Sequence, residues 1–252
     1  MKTTITVNPK YESLRAFLER IPTVFEHEGR EIYHLRNVIK VLACPDGTSI
    51  NVKRFHQPRG INRFVYSWQL RTPKGERSYD YAFRLNGEGI SSPEAVALIE
   101  ERGNMNLLGF SYLITLQSPL PHTLYEIKNA KEEEYAPLAR ALALFAARMH
   151  KAGILHKDFT PGNILWERGA TGYHFTVVDI NRMRFGDISM KEGLNNLKKF
   201  WGPKHFTEIL AEEYAKARHA DAEKAVAYIL NRRKSFWQRY LKKHEVPFTV
   251  EL

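Results

Sequence analysis

The stretch that most constrains this chain is Leu155-His156-Lys157-Asp158-Phe159-Thr160-Pro161-Gly162-Asn163-Ile164-Leu165. It sets a polar loop of the form H-x-D-x-x-x-x-N between a helix and a strand. Ahead of it, Leu138, Leu142, Phe145 and Met149 recur at helical spacing until Gly153, and Pro137 suits the first helical position. Behind it, Ile164-Leu165-Trp166 reads as a short strand, followed by a turn through Gly169 to Gly172 and a second strand, Phe175-Thr176-Val177-Val178. Asp179 ends that second strand, sixteen residues after Asn163. Asn163 and Asp179 are therefore expected on two adjacent turns. Each residue alone has a plain role: Asp158 caps a helix, Asn163 occupies a turn, Asp179 ends a strand. Spacing, flanking elements and the second aspartate together favour a site.

Phosphoryl transfer needs few protein groups: a carboxylate for the attacking hydroxyl, ligands for Mg²⁺, and a cation on the ATP phosphates. Asp158 fits the base, and Asn163 with Asp179 the metal ligands. Lys53 ends the strand Ser49-Ile50-Asn51-Val52-Lys53, 105 residues before Asp158, and fits the cation for the α- and β-phosphates. A surface lysine on an edge strand is the plainer reading of Lys53; its place after a strand–turn–strand unit favours the functional one. Glu76 and Asp80 both remain candidates for its acidic partner. His156 is read as a structural hydrogen-bonding residue. His150, His205 and His219 show no metal-ligand spacing and read as ordinary residues.

Elsewhere the first half reads as strands. Glu31–Leu35 and Val38–Ala43 flank Arg36-Asn37, and Pro45-Asp46-Gly47 turns the chain into the strand that carries Lys53. Residues 56–75 read as a long loop, a helix follows from about Gly75 to Asn86, and strands are expected near Ala95–Ile99 and Ser111–Thr115. Helices at about 192–200, 204–218 and 220–243 fill the rest. The expected architecture is a two-lobed α+β fold: residues 1–116 as an N-lobe built on an antiparallel sheet, and 117–252 as a helical C-lobe carrying the loop. ATP is expected between the lobes near Leu116 and Gln117.

The loop resembles that of the protein-kinase-like superfamily, and Pro161-Gly162-Asn163-Ile164-Leu165 sits nearer its small-molecule phosphotransferases than its protein kinases. The whole chain resembles the lipopolysaccharide kinases of Gram-negative bacteria, which phosphorylate Kdo or heptose of the inner core. Val52-Lys53-Arg54-Phe55, Arg77-Ser78-Tyr79-Asp80-Tyr81-Ala82, Gly89-Ile90-Ser91-Ser92-Pro93-Glu94, the loop itself and Asp179-Ile180-Asn181-Arg182 carry the likeness, over about residues 30–200. It implies an ATP- and Mg²⁺-dependent sugar kinase, with lipid A-linked Kdo as the anionic glycolipid acceptor. It also implies a cytoplasmic enzyme with peripheral contact at the inner membrane. There are departures from the kinase pattern. No G-x-G-x-x-G is present, so phosphates near Leu35-Arg36-Asn37-Val38 and Lys40 would meet side-chain cations or a tight Asn turn. Lys157 replaces the arginine after the histidine, and Asp179-Ile180-Asn181 stands for D-F-G. After Arg184-Phe185-Gly186 the chain passes almost directly into a helix, leaving no long segment to dock a peptide.

Charge bears on the acceptor. The 252 residues carry Lys+Arg 38 against Asp+Glu 28, a net +10. Between Lys191 and Lys243 stand 13 Lys+Arg and 6 Asp+Glu, so most of the excess lies there. Such a balance favours anionic partners. It argues against an aminoglycoside-type kinase, whose cationic acceptors call for an acidic pocket. Retention of Asp158, Asn163, Asp179 and Lys53 argues against a non-catalytic pseudokinase, and nucleic-acid binding ranks behind both. Arg182 and Arg184 suit a phosphate or the acid group of a sugar, or ion pairs within the lobe. In Asn231–Lys243, Leu230, Trp237, Tyr240 and Leu241 are expected to pack on the lobe, while Arg232, Arg233, Lys234, Arg239, Lys242 and Lys243 attract an anionic membrane. The longest apolar run, Ala141–Ala147, is far short of the ~20 residues of a membrane span. The N-terminus lacks a secretory apolar core, and one cysteine, Cys44, excludes an internal disulfide or a multi-cysteine zinc site.

Overall fold

A computed structural model describes residues 2–68 and 70–252. The chain divides into two compact units, Met1–Pro119 and Leu120–Leu252.

In the first unit, β1 (Lys2–Val7) leads into the one-turn helices α1 (Arg15–Leu18) and α2 (Ile21–Val24). A meander follows: β2 (Arg30–His34), β3 (Val38–Ala43) and β4 (Ser49–Phe55). Then come α3 (Ile61–Ser67), α4 (Lys74–Gly87), β5 (Ala95–Arg102) and β6 (Leu108–Leu116). The six strands form one antiparallel sheet in the order β1-β5-β6-β4-β3-β2. Alternation along β4 separates its faces. Ile50 and Val52 enter a core with Leu18, Ile21, Phe25, Val38, Leu42, Tyr112 and Ile114, while Asn51, Lys53 and Phe55 share the other face.

That second face receives α4. Its buried residues Gly75, Ser78, Tyr79, Ala82 and Leu85 recur at helical spacing. Gly75 lets the helix approach the sheet: a β-carbon there would stand 2.8 Å from Leu98 Cδ1 and 3.6 Å from Phe55. The expected long loop at 56–75 instead contains α3. Ile61, Phe64, Val65 and Trp68 do follow helical spacing, but the scattered Arg, Pro and Gly around them favour the loop reading; in the fold Ile61 is 78% exposed and, of α3, only Ser67 is buried. The one-turn α1 and α2 are too short to show a period at all.

In the second unit, β7 (His122–Thr123) precedes the long α5 (Glu132–Lys151). β8 (Ile154–His156), the hairpin β9 (Ile164–Gly169) and β10 (Gly172–Val177), and β11 (Met183–Phe185) follow. The helices α6 (Met190–Leu197), α7 (Lys204–Ala217) and α8 (Ala222–Leu241) complete it. α5 begins at Glu132 rather than at Pro137. Three glutamates in its first turn complement the positive end of the helix dipole, and that favours the earlier start. Leu138, Leu142, Phe145 and Met149 are buried as their spacing predicts. α7 packs on α5, and α8 on α7. The buried stripe of α8 is Ala225, Ile229, Arg233 and Trp237, so one of its cations faces inward. Arg233 is 1% exposed and donates to the backbone carbonyls of Gly202, at 3.2 Å, and Glu251. Tyr240 and Leu241, expected to pack, are each 38% exposed. Among the described residues no helix is long and apolar enough to cross a membrane.

Candidate active site

Two strand pairings build the loop. β8 pairs with β11, setting Met183 opposite His156, and β9 pairs with β10, setting Ile164 opposite Val177. The second pairing continues one step outward, where Val178 N–H donates to Asn163 O at 3.0 Å. Asn163 and the residue before Asp179 are thereby hydrogen-bonded neighbours, and Asp158 is tied to the same point. Asn163 Nδ2 donates to Asp158 O at 2.9 Å, which leaves the amide oxygen Oδ1 as the group on offer. Gly162 lies close under Tyr125, so a β-carbon there would have to push the half-exposed ring aside.

His156 joins the two turns from beneath. Carbonyl oxygens only accept, so the 3.0 Å contact with Val178 O makes Nε2–H the donor; Nδ1 then accepts from Asp158 N–H at 3.1 Å. The ring is fully buried, and burial pushes its pKa down, opposed by the Val178 bond and the charges of Asp179 and Asp158. It is a neutral structural bridge, as its sequence context suggested.

Asp179 takes a left-handed backbone, φ 55° and ψ 46°. In a non-glycine residue this costs roughly 1 kcal/mol or more. Asn181 Nδ2 donates to Asp179 Oδ1 at 2.6 Å and fixes the carboxylate. An amide oxygen and a carboxylate make a hard-oxygen donor pair suited to Mg²⁺. Mg²⁺ is commonly bound by one or two carboxylates plus substrate phosphates and water. Among the described residues there is no cluster of three His, Cys, Asp or Glu.

Two cations meet the Asp158 carboxylate. Arg182 donates to Oδ2 at 2.8 Å, and Lys199 Nζ stands 3.8 Å from Oδ1 while donating to Lys157 O at 2.9 Å. Arg184, paired with Arg182 on sequence grounds, is diverted: it binds Glu192 Oε1 at 2.7 Å and Asp187 O at 3.2 Å. Lys199 carried no sequence signal beyond belonging to a basic segment.

Behind the loop runs a buried chain of donors that sequence reasoning missed. Arg218 donates to the Tyr214 hydroxyl at 3.0 Å, and that hydroxyl donates to His150 Nδ1 at 2.9 Å. His150 Nε2–H reaches Asn196 Oδ1 at 3.3 Å, and Asn196 Nδ2 donates to His156 O at 2.9 Å. Burial holds His150 down to about 4 and raises Tyr214 to about 12, so both are neutral near pH 7. Gly193 gives the hydroxyl its room, since a β-carbon there would collide with it. The only sequence hint was a histidine on the apolar face of a helix.

Lys53 belongs to the first unit, on the face of β4 that receives α4, with its ammonium 5.2 Å from the Phe55 ring centre. A cavity of about 270 Å³ beside Phe55 is lined by Arg36, Asn37, His56, Arg59 and Lys74. Lys40, named with that turn as a phosphate-side cation, points the other way. It is 8% exposed and donates to the carbonyls of Phe25, Glu26 and Glu28 at 2.6, 3.1 and 3.4 Å. Of the two acidic candidates, Glu76 is half-buried and Asp80 exposed; burial, then the charges of Glu100 and Asp80, raise the Glu76 carboxyl.

The family model "Lipopolysaccharide kinase (Kdo/WaaP) family" matches residues 47–217, which is more than half of the chain and includes the whole loop. The chain belongs to this family. This lipopolysaccharide kinase is thus a phosphotransferase that acts on a sugar hydroxyl of the lipopolysaccharide core, and it has the protein-kinase-like α+β fold. Among solved structures it is similar to WaaP in complex with acyl carrier protein, at 16% identity and TM-score 0.59, covering 93% of this chain and 99% of that one. It is similar also to the Rio2 kinase–ADP/Mg²⁺–phosphoaspartate complex from Chaetomium thermophilum, at 16% identity and TM-score 0.46, covering 94% and 65%. A MAP kinase from Leishmania major matches at 12% identity and TM-score 0.44, covering 95% and 75%. No curated protein matches the chain in sequence.

Proposed function

We propose that this lipopolysaccharide kinase transfers the γ-phosphoryl group of ATP to a hydroxyl of Kdo in the lipid A-linked inner core, at the cytosolic face of the inner membrane. The observation that carries the site is the bond from Val178 N–H to Asn163 O, which sets the two turns bearing Asn163 and Asp179 side by side at the loop that presents Asp158. Asp158 orients the hydroxyl and takes its proton as the new O–P bond forms and ADP leaves. Asn163 Oδ1 and the Asp179 carboxylate would hold Mg²⁺, which neutralises charge on the phosphates when bound. Lys53 supplies the cation for the α- and β-phosphates, with Glu76 or Asp80 on α4 as its acidic partner. The cavity lined by Arg36, His56, Arg59 and Lys74 supports side-chain cations in place of a glycine cradle.

The acceptor reading rests on the family and on charge. Arg232, Lys234, Arg239, Lys242 and Lys243 are exposed along one end of the chain, and such cations gather an anionic glycolipid at a membrane surface. Purified protein with Mg-ATP and a panel of Kdo- and heptose-bearing lipid A acceptors tests it. Phosphate on Kdo alone supports the reading, and phosphate on heptose alone replaces it.

A further inference from the structure

We propose that Arg182 and Lys199 form an anion subsite that holds the acceptor's carboxylate, and that their capture by the acceptor uncovers Asp158. This deepens, and rests on, the Kdo reading above. Both oxygens of the Asp158 side chain face a cation, Arg182 at 2.8 Å and Lys199 at 3.8 Å. A base needs an oxygen within hydrogen-bond reach of the hydroxyl. The cations must therefore be drawn off, at least in part, before Asp158 can work.

The geometry permits this. The Arg182 side chain is 58% exposed and Lys199 25%, against 27% for Asp158. The Arg182 guanidinium is the more exposed of the two cations, so its attraction to Asp158 is partly screened by solvent and an incoming anion can compete for it. The backbones do not move with them. Lys157 N–H donates to Arg182 O at 3.2 Å, and Met183 is paired with His156, so Arg182 is anchored beside the loop whatever its guanidinium binds. Lys199 adjoins Lys198, whose pKa is lowered by burial and by the cations Arg232, Lys199 and Arg239. This rim is rich in unbalanced positive charge. Arg184 is committed to Glu192 and is left out of it.

An acceptor anion is favoured over the nucleotide because the two cations sit on the group that addresses the hydroxyl. The groups assigned to the phosphate side are Asn163 Oδ1 and the Asp179 carboxylate, whereas Arg182 and Lys199 face the Asp158 carboxylate. The ligand class is thus a sugar acid with its carboxylate close to the accepting hydroxyl, and a planar guanidinium matches a carboxylate in two-point contact.

The test compares Kdo-bearing lipid A with the same acceptor after reduction of its Kdo carboxyl groups to alcohols, at saturating Mg-ATP. It uses the wild type, Arg182→Gln, Lys199→Gln and the charge-keeping Arg182→Lys, each checked for folding by its urea midpoint. The wild type should prefer the native acceptor by about tenfold or more in kcat/KM, through KM, the effect of one charge-assisted bond. Both Gln variants should bring that ratio close to unity, and Arg182→Lys should keep part of it. Phosphorylation of both acceptors without preference, or wild-type discrimination in the Gln variants, overturns the subsite. So does a loss confined to KM for Mg-ATP in a separate titration of the nucleotide, which would give the cations to the nucleotide. If the wild type phosphorylates neither acceptor, the Kdo reading fails first, and the subsite falls with it.

Discussion

Asn196 on α6 donates to the backbone carbonyl of His156 at 2.9 Å, tying a helix to the strand that launches the Asp158 loop. His156 in turn accepts the Asp158 amide and donates to Val178, so the helix and both turns share one buried ring. The donor chain from Arg218 through Tyr214 and His150 ends on that asparagine.

The chain therefore positions the loop. Tyr214→Phe removes a hydroxyl that both accepts and donates, and Asn196→Ala removes the last link. Each should lower kcat by about 5- to 10-fold, with KM for Mg-ATP and acceptor within about twofold, since neither residue is proposed to touch substrate. A structural role alone would lower the urea midpoint and leave kcat of the folded fraction unchanged.

Acid should loosen the second unit. His150 titrates near 6.5 in the unfolded chain and about 4 in the fold, so the unfolded state binds the extra proton between those values. The stabilisation is complete above pH ~6.5 and falls by roughly 1.4 kcal/mol per pH unit towards about 4. His156, also shifted down by burial, acts in the same direction. Urea midpoints between pH 7.5 and 5 should fall steeply in the wild type and less steeply in His150→Gln. Equal slopes would mean that His150 is not buried neutral.

Lys40 and Lys53 lie one strand apart on opposite faces of the sheet, and they should fail differently. Lys40→Met leaves three backbone carbonyls without their donor and should cost roughly 2–3 kcal/mol of stability, with unchanged KM for Mg-ATP in the folded protein. Lys53→Met should keep its midpoint and lose about 100-fold or more in kcat/KM. Kinetics and denaturation of both variants decide the matter, and a swap of the two phenotypes would reverse the assignment.

The cations of α8 should also separate. Arg233→Gln should destabilise by roughly 2–4 kcal/mol, because the buried guanidinium binds Gly202 and Glu251 carbonyls. Arg232, Lys242 and Lys243 are exposed, and replacing all three with Gln should leave the midpoint within about 0.5 kcal/mol. The triple variant should raise KM for membrane-embedded acceptor more than for a delipidated one, an effect that weakens with salt. Equal loss on both acceptors would show that the charges do not act through the membrane.

The sequence by itself determined the parts of this protein whose signals are local. The H-x-D-x-x-x-x-N order, the two apolar strands after it and Asp179 at their end suffice to predict a hairpin that joins Asn163 to Asp179, because strand pairing follows from alternation and a glycine turn. The period of Leu138, Leu142, Phe145 and Met149 likewise determined the buried face of α5. Tertiary structure decided what no local period settles. α1 and α2 are single turns, and α3, whose Ile61, Phe64 and Val65 do follow helical spacing, buries only Ser67. Lys40 and Arg233 look in sequence like any other exposed cations. They are buried because backbone carbonyls from distant segments converge on them and offset the cost of taking a charge out of water. The same holds at the site. Arg182 and Arg184 are alike by sequence, yet one reaches Asp158 and the other Glu192, and Lys199 arrives from the end of α6. Hydrogen bonds between residues forty or more positions apart, such as those of Asn196 and Tyr214, depend on helix packing that no local pattern encodes.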